Sequence, residues 1–309
     1  MLISVVFSFK NEASNLLELV SRTSAAIEKI PDSNYELIFV NDSSTDNSLP
    51  LLQELQKNYP IIIINMARNF GVTPCVLAGM AQSSGDAVVY LDCDLQDPPE
   101  LIIDLVQQFK VGAEVVHTTR TSRDGETWFK LLLTKQAYRI INAFSDINLP
   151  LNTGDYKLLS RRVVNEILLL KEYDPYMRGL SVWVGFKQAF VHYKRDPRFS
   201  GSTKMPLFGK GPLKEFLRGL TSYSAAPLYM SFILGMLVTL ISVLVIAWAL
   251  VTKFLGIATP GVSGVLIAVS FFSGIILITN GIIGLYISKM YYELKARPRY
   301  IIRDIQNYK

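Results

Sequence analysis

The chain has 309 residues, half of them apolar, with a formal charge of +5 and two cysteines, and its mean hydropathy is +0.28. Cys75 and Cys93 show no paired spacing, which excludes a disulfide framework or a zinc ribbon, and both read as reduced. The basic residues flank a long uncharged region near the carboxyl end rather than lining a groove, a juxtamembrane pattern that points to membrane lipid and away from nucleic acid.

Lys10, Asn11 and Glu12 interrupt the first apolar run after a few residues, so no secretory leader is expected. Continuous apolar runs bounded by turn residues recur at 3–9, 35–40, 61–64, 87–91 and 114–117, as in strands covered on both faces. Between them, 11–30, 46–58, 72–83 and 99–109 carry apolar residues at helical spacing. The order predicts an α/β fold, a Rossmann-like open and mainly parallel sheet with right-handed crossovers. Ligands of such sheets bind beyond the carboxyl ends of the strands. Those ends carry Lys10-Asn11-Glu12, Asn41-Asp42-Ser43-Ser44 and Asp92-Cys93-Asp94. Neither a dinucleotide-binding glycine fingerprint nor a phosphate-binding P-loop occurs.

Asp92-Cys93-Asp94-Leu95-Gln96-Asp97 follows the apolar run AVVYL, which sets acidic side chains at a strand end. Hard oxygen donors at this spacing make Asp92, Asp94 and Gln96 the candidate ligands for Mg²⁺ or Mn²⁺, completed by substrate phosphates. Asp97, just before Pro98-Pro99, reads as the cap of the next helix. His117 and His192 are lone histidines in strand-like stretches and read as structural.

Residues 204–226 place Leu213, Phe216, Leu217 and Leu220 at helical spacing beside Lys214 and Arg218, an amphipathic helix that lies at an interface or packs on the preceding domain. Two uncharged runs, 228–251 and 262–288, are long enough to cross a membrane. The connector holds only Lys253, whereas both outer flanks, including a basic tail at 289–309, are rich in Lys and Arg. The positive-inside bias therefore puts both termini in the cytoplasm of a multi-pass inner-membrane protein. Gly274, Gly281 and Gly284 allow close packing, either within the hairpin or between copies in a homo-oligomer.

The strings VVFSFKNE, FVNDSSTDNS, ARNFG and GDAVVYLDCDLQDPPE, with NTGDYKLLSRRVV, YMRGLSVWVGF and RFSGSTKMP further on, stand in an order that resembles the family 2 glycosyltransferases of GT-A fold. The likeness extends over essentially the full length, and is strongest to the polyprenyl-phosphate branch that includes bactoprenol glucosyltransferases and dolichyl-phosphate mannose synthases. It implies a glycosyltransferase domain at 1–203 that moves a hexose from a nucleotide-sugar to a polyprenyl phosphate. Glucose from UDP-glucose is the first choice; mannose, aminoarabinose or a non-lipid acceptor are alternatives. By resemblance, Phe9, Asn11, Glu12, Asp42, Arg68, Asn69, Gly71 and Asp92 hold the nucleotide-sugar. Ser8 and Phe9 stand where the family usually shows Pro and Tyr. Asp155, with Asp94 and Arg198, is implied in catalysis, either as base or as orienting group, because a phosphate dianion needs no deprotonation. Arg120, Arg123, Arg198, Ser202 and Lys204 are the candidates for the acceptor phosphate, and for Arg120 and Arg123 an exposed loop charge is the alternative.

Overall fold

The computed structural model describes residues 1–122, 136, 139, 142–145, 147–150, 153–194, 219–256 and 261–308. The amphipathic segment before residue 219, the connector at 257–260, and the candidates Arg123, Arg198, Ser202 and Lys204 lie outside the described residues.

Strands β1 (Leu2–Phe9), β2 (Asn34–Asn41), β3 (Ile61–Met66) and β4 (Ala87–Asp92) form where the continuous apolar runs stand. They alternate with helices α1 (Ala13–Ile27), α2 (Ser48–Leu55) and α3 (Val72–Gln82). A turn of 3₁₀ helix, Pro99–Leu101, leads into α4 (Ile102–Lys110). These strands pair in parallel, β3 on β2, β2 on β1 and β1 on β4. One core layer joins Ile3, Val5 and Phe7 to Leu16 and Leu19 of α1, with Phe7 stacked on Phe39 at 4.6 Å. The other joins Val6, Ile38 and Val40 to Val76, Leu77 and Met80 of α3. Burial on both faces explains why these strands lack polar alternation.

The sheet is longer and less uniform than a simple βα series. It has eight strands among the described residues, in the order β7-β5-β6-β4-β1-β2-β3-β8. Here β5 is Val115–Ser122, β6 Thr153–Ser160, β7 Gln188–Lys194 and β8 Ile302–Gln306. The antiparallel strand β6 enters between β4 and β5, and β5 and β7 are parallel neighbours. Helices α5 (Arg161–Leu169) and α6 (Met177–Trp183) follow β6.

Two long helices, α7 (Ala226–Phe254) and α8 (Val262–Leu294), form the carboxyl-terminal hairpin. Both are long and apolar enough to cross a membrane, over Ala226–Thr252 and Phe271–Leu294, and neither apolar window is buried by protein. The second helix continues past the 288 boundary read from sequence. Among the described residues, a Cβ built on Gly274, Gly281 or Gly284 meets no neighbouring atom within 4 Å. At its base, α8 is tied to the sheet domain. The backbone N–H of Tyr173 donates to Glu293 Oε1 at 2.7 Å, and Tyr173 stacks on Tyr292 at 5.0 Å.

The segment 289–309, read as a basic tail, does not hang free. Ile302–Gln306 returns to the sheet as the antiparallel edge strand β8 on β3. Its five residues alternate between half-buried and exposed, because only one face of this edge strand is covered.

Candidate active site

The loops after β1, β2 and β3 converge at one rim of the sheet and are stitched to each other. Asn11 takes a left-handed backbone (φ +57). From there its Oδ1 accepts from the Thr45 N–H at 2.8 Å, while its own N–H donates to Ser44 Oγ at 3.1 Å. The Glu12 N–H donates to Ser48 Oγ, and its Oε2 accepts from Asn15 Nδ2 at 2.8 Å. Asp42 is buried under the third loop, where its two carboxylate oxygens accept from the N–H groups of Phe70 at 2.6 Å and Gly71 at 2.9 Å. Gly71 sits at φ +93, which a residue with a Cβ adopts only with strain. Arg68 lies over the Phe70 ring at 4.0 Å and donates to the Asn69 carbonyl at 3.0 Å.

Asp92 ends β4 opposite Ser8 of β1. The chain then turns through Leu95, a buried residue held at φ +56, and Asp94 Oδ1 accepts from the Gln96 N–H at 3.2 Å. A leucine in this region costs on the order of 1 kcal/mol, a strain found where a site fixes the chain. Asp92, Asp94 and Gln96 thus share one tight turn. No group of three or more His, Cys, Asp or Glu side chains suited to a metal occurs among the described residues. Two carboxylates and a carboxamide fit a hard divalent ion that draws its other ligands from phosphate and water, and they do not make a closed protein cage.

Asp155 lies on β6, the neighbour of β4, facing α6. Arg178 of α6 grips it with two hydrogen bonds, Nε to Oδ1 at 2.8 Å and Nη2 to Oδ2 at 2.6 Å. Burial pushes the Asp155 carboxyl up, but Arg178, helped by Lys157 and Arg120, outweighs burial and holds it at about 2. Two residues along the strand, Lys157 is fully buried, donates to Ser181 Oγ at 3.0 Å, and is brought down to about 8 by burial despite the attraction of Asp155.

A profile of glycosyl transferase family 2 matches residues 4–168, more than half of the chain and all of the rim just described. The chain belongs to this family. Among its relatives, the uncharacterized glycosyltransferase YkcC of Bacillus subtilis is 41% identical over 97% of this chain and 93% of its own. The prophage bactoprenol glucosyl transferase homolog of Escherichia coli is 33% identical over 99% of this chain and 100% of its own. The bactoprenol glucosyl transferase of Shigella phage SfX is 34% identical over 98% and 99%.

In this family 2 transferase several residues sit differently from the sequence reading. Phe9 is buried against Phe39, edge to face at 6.3 Å, and so belongs to the core rather than to the cleft. Asp97 is not the cap of the next helix, since the 3₁₀ turn Pro99–Leu101 has Pro98 at its N-cap position and no side-chain cap. It is instead buried beside Arg120, whose Nη2 reaches its Oδ2 at 3.2 Å, and it accepts a very short hydrogen bond from the Tyr193 hydroxyl. Arg120 is therefore not an exposed loop charge; its guanidinium is engaged by Asp97 and Tyr193. Its Nη2 lies 2.9 Å from where a Cβ on Gly154 would stand, so a side chain there would shift the guanidinium. His117 is buried with Nε2 3.0 Å from Gln188 Oε1, and Cys75 and Cys93 are buried and in no disulfide. Arg178 was missed. Its signal was a lone cation amid Tyr176, Met177, Gly179 and Leu180, all buried here.

Proposed function

We propose that this family 2 transferase moves a hexose from a nucleotide-sugar, UDP-glucose as first choice, to a polyprenyl phosphate at the cytoplasmic face of a membrane. The observation that carries the reading is the near-complete match, hairpin helices included, to relatives named as bactoprenol glucosyl transferases. The reaction is a direct displacement. A phosphate oxygen of the lipid forms a bond to the anomeric carbon as the bond from that carbon to the nucleoside diphosphate breaks, inverting the configuration.

Asn11, Glu12, Asp42, Arg68, Asn69 and Gly71 build the nucleoside side of the cleft, with Asp42 acting through the backbone it clamps. Asp92, Asp94 and Gln96 hold Mg²⁺ or Mn²⁺, which when bound neutralises charge on the leaving diphosphate. A carboxyl held at about 2 is a weak base at neutral pH. The Arg178 pair therefore favours Asp155 as an orienting group for sugar or acceptor, and the dianionic acceptor needs no proton removed. Arg123, Arg198, Ser202 and Lys204 are assigned to the acceptor phosphate on the sequence pattern alone.

The edge strand supports the topology. Segments before and after the hairpin meet in one sheet, so a hairpin in a membrane leaves and returns on the same side. The Lys- and Arg-rich flanks make that side the cytoplasm. The domain limits, 1–203, 204–226, 227–288 and 289–309, stand as part of this proposal, with 302–306 functionally joined to the first.

The test uses detergent-purified protein with Mg²⁺, undecaprenyl phosphate and radiolabelled UDP-glucose, following label into the organic phase. Label that disappears with chelator and in Asp94→Ala is the expected result. No lipid label from UDP-glucose or any other nucleotide-sugar sinks the reading.

A further inference from the structure

Three polar side chains cross the sheet in register at the carboxyl end of the parallel strands. Asn41 of β2 stands opposite Asn65 of β3, and Asn65 opposite Asp304 of β8. Both asparagines are buried, at 4% and 1% exposure, so each amide must find partners inside the protein. They find each other. Asn65 Nδ2 donates to Asp304 Oδ1 at 2.7 Å, Asn41 Nδ2 donates to Asn65 Oδ1 at 2.9 Å, and the Ser44 N–H donates to Asn41 Oδ1 at 2.8 Å.

The direction of this ladder is fixed at both ends, because a backbone N–H only donates and a carboxylate only accepts. Each amide therefore has one orientation that satisfies its neighbours. The end of the ladder is Ser44, in the loop that clamps both other loops of the rim. Ser44 and Thr45 hold Asn11, and Asp42 holds Phe70 and Gly71. The strand segment of Asp304 also touches the third loop directly, where the Ala67 N–H donates to the Ile301 carbonyl at 2.9 Å.

We propose that Asp304, on the strand that follows the membrane hairpin, is a positioning residue for nucleotide-sugar binding, acting through Asn65 and Asn41 on the loop at 42–45. This rests on the reading of that rim as the donor site. Asp304 touches no substrate; it sets the polarity of the ladder that shapes the donor loops. Loss of its acceptor leaves Asn65 Nδ2 without the partner at the Asp304 end, so the ladder is oriented from the Ser44 end alone and holds that loop less firmly.

The experiment compares full-length wild type, Asp304→Val and Asp304→Asn in detergent. Valine keeps strand propensity without an acceptor, and asparagine keeps Oδ1. UDP affinity is measured by calorimetry, with GDP as the second probe, alongside KM for donor and for undecaprenyl phosphate. Amide hydrogen exchange over 61–66 and 302–306 reports whether β8 stays paired. A lost hydrogen bond at about 1 to 1.4 kcal/mol corresponds to a roughly five- to tenfold weaker nucleotide affinity and higher donor KM in Asp304→Val. The expected pattern adds an unchanged acceptor KM and near wild-type values for Asp304→Asn. Unchanged nucleotide affinity in Asp304→Val overturns the proposal, as does an equal loss for donor and acceptor that asparagine does not restore. If wild type binds neither nucleotide, the donor reading fails and the proposal with it.

Discussion

Asp155 and Arg178 form a two-point ion pair, and the energetics of that pair decide what the aspartate can do. Asp155→Asn should lower kcat/KM about a hundredfold by releasing a positioned group, while leaving the shape of the pH–rate profile above pH 5 unchanged. A new dependence on pH in that range would restore the base reading. The same pair has a stability signature. The folded carboxyl titrates at about 2, below its ordinary 3.8. Its stabilising contribution is therefore complete above pH 4 and lost as pH falls toward 2. Asp42→Asn should raise donor KM about tenfold with little change in acceptor KM, because one of two accepting oxygens for Phe70 and Gly71 becomes a donor; steady-state kinetics with each substrate varied would measure this. The acidic turn at 92–97 was legible because its residues are neighbours in the chain. The partner of Asp155 was not, because nothing local in the sequence tells that Arg178, 23 positions further on in α6, will face it.

At the level of elements, one ion pair joins the turn after β4 to the far strands: Asp97 to Arg120 on β5, with Tyr193 of β7 on both. Asp97→Ala removes the carboxylate paired with the buried Arg120 guanidinium, and should destabilise the protein by about 3 kcal/mol, read as a lowered melting temperature. His117 of β5, beside Gln188 of β7, titrates at about 3, pushed down from 6.5 by burial and then by Lys157, against the hydrogen bond to Gln188. The unfolded chain binds the proton first, so this histidine erodes stability as pH falls from 6.5 toward 3, by about 1.4 kcal/mol per pH unit at the steepest. Melting curves at pH 7 and pH 5 should diverge less for His117→Phe than for wild type. The parallel strands β1 to β4 were legible because both faces are covered and their apolar runs are unbroken. β6 was obscured by Asp155 and Lys157, which are held by specific partners rather than by water. β8 was obscured by its brevity and its half-covered pattern.

For the whole molecule, the two apolar helices leave and re-enter one folded domain. A cysteine placed at 258 should react with a membrane-impermeant maleimide in intact cells, whereas cysteines placed at 33 and 308 should react only after permeabilisation. The native Cys75 and Cys93 are both buried and give little background. Labelling of position 308 from outside would require an odd number of crossings and would separate β8 from β3. That pairing has a further consequence in time. Asn65 and Asp304 are 239 positions apart, and both helices are synthesised between them. While the chain is being made, β3 leaves the ribosome as an unpaired edge and remains one until the hairpin is complete. Completion of the sheet thus waits on the two apolar helices, and a copy in which β8 fails to return carries an open strand edge, the kind of surface by which misassembled chains are caught and destroyed.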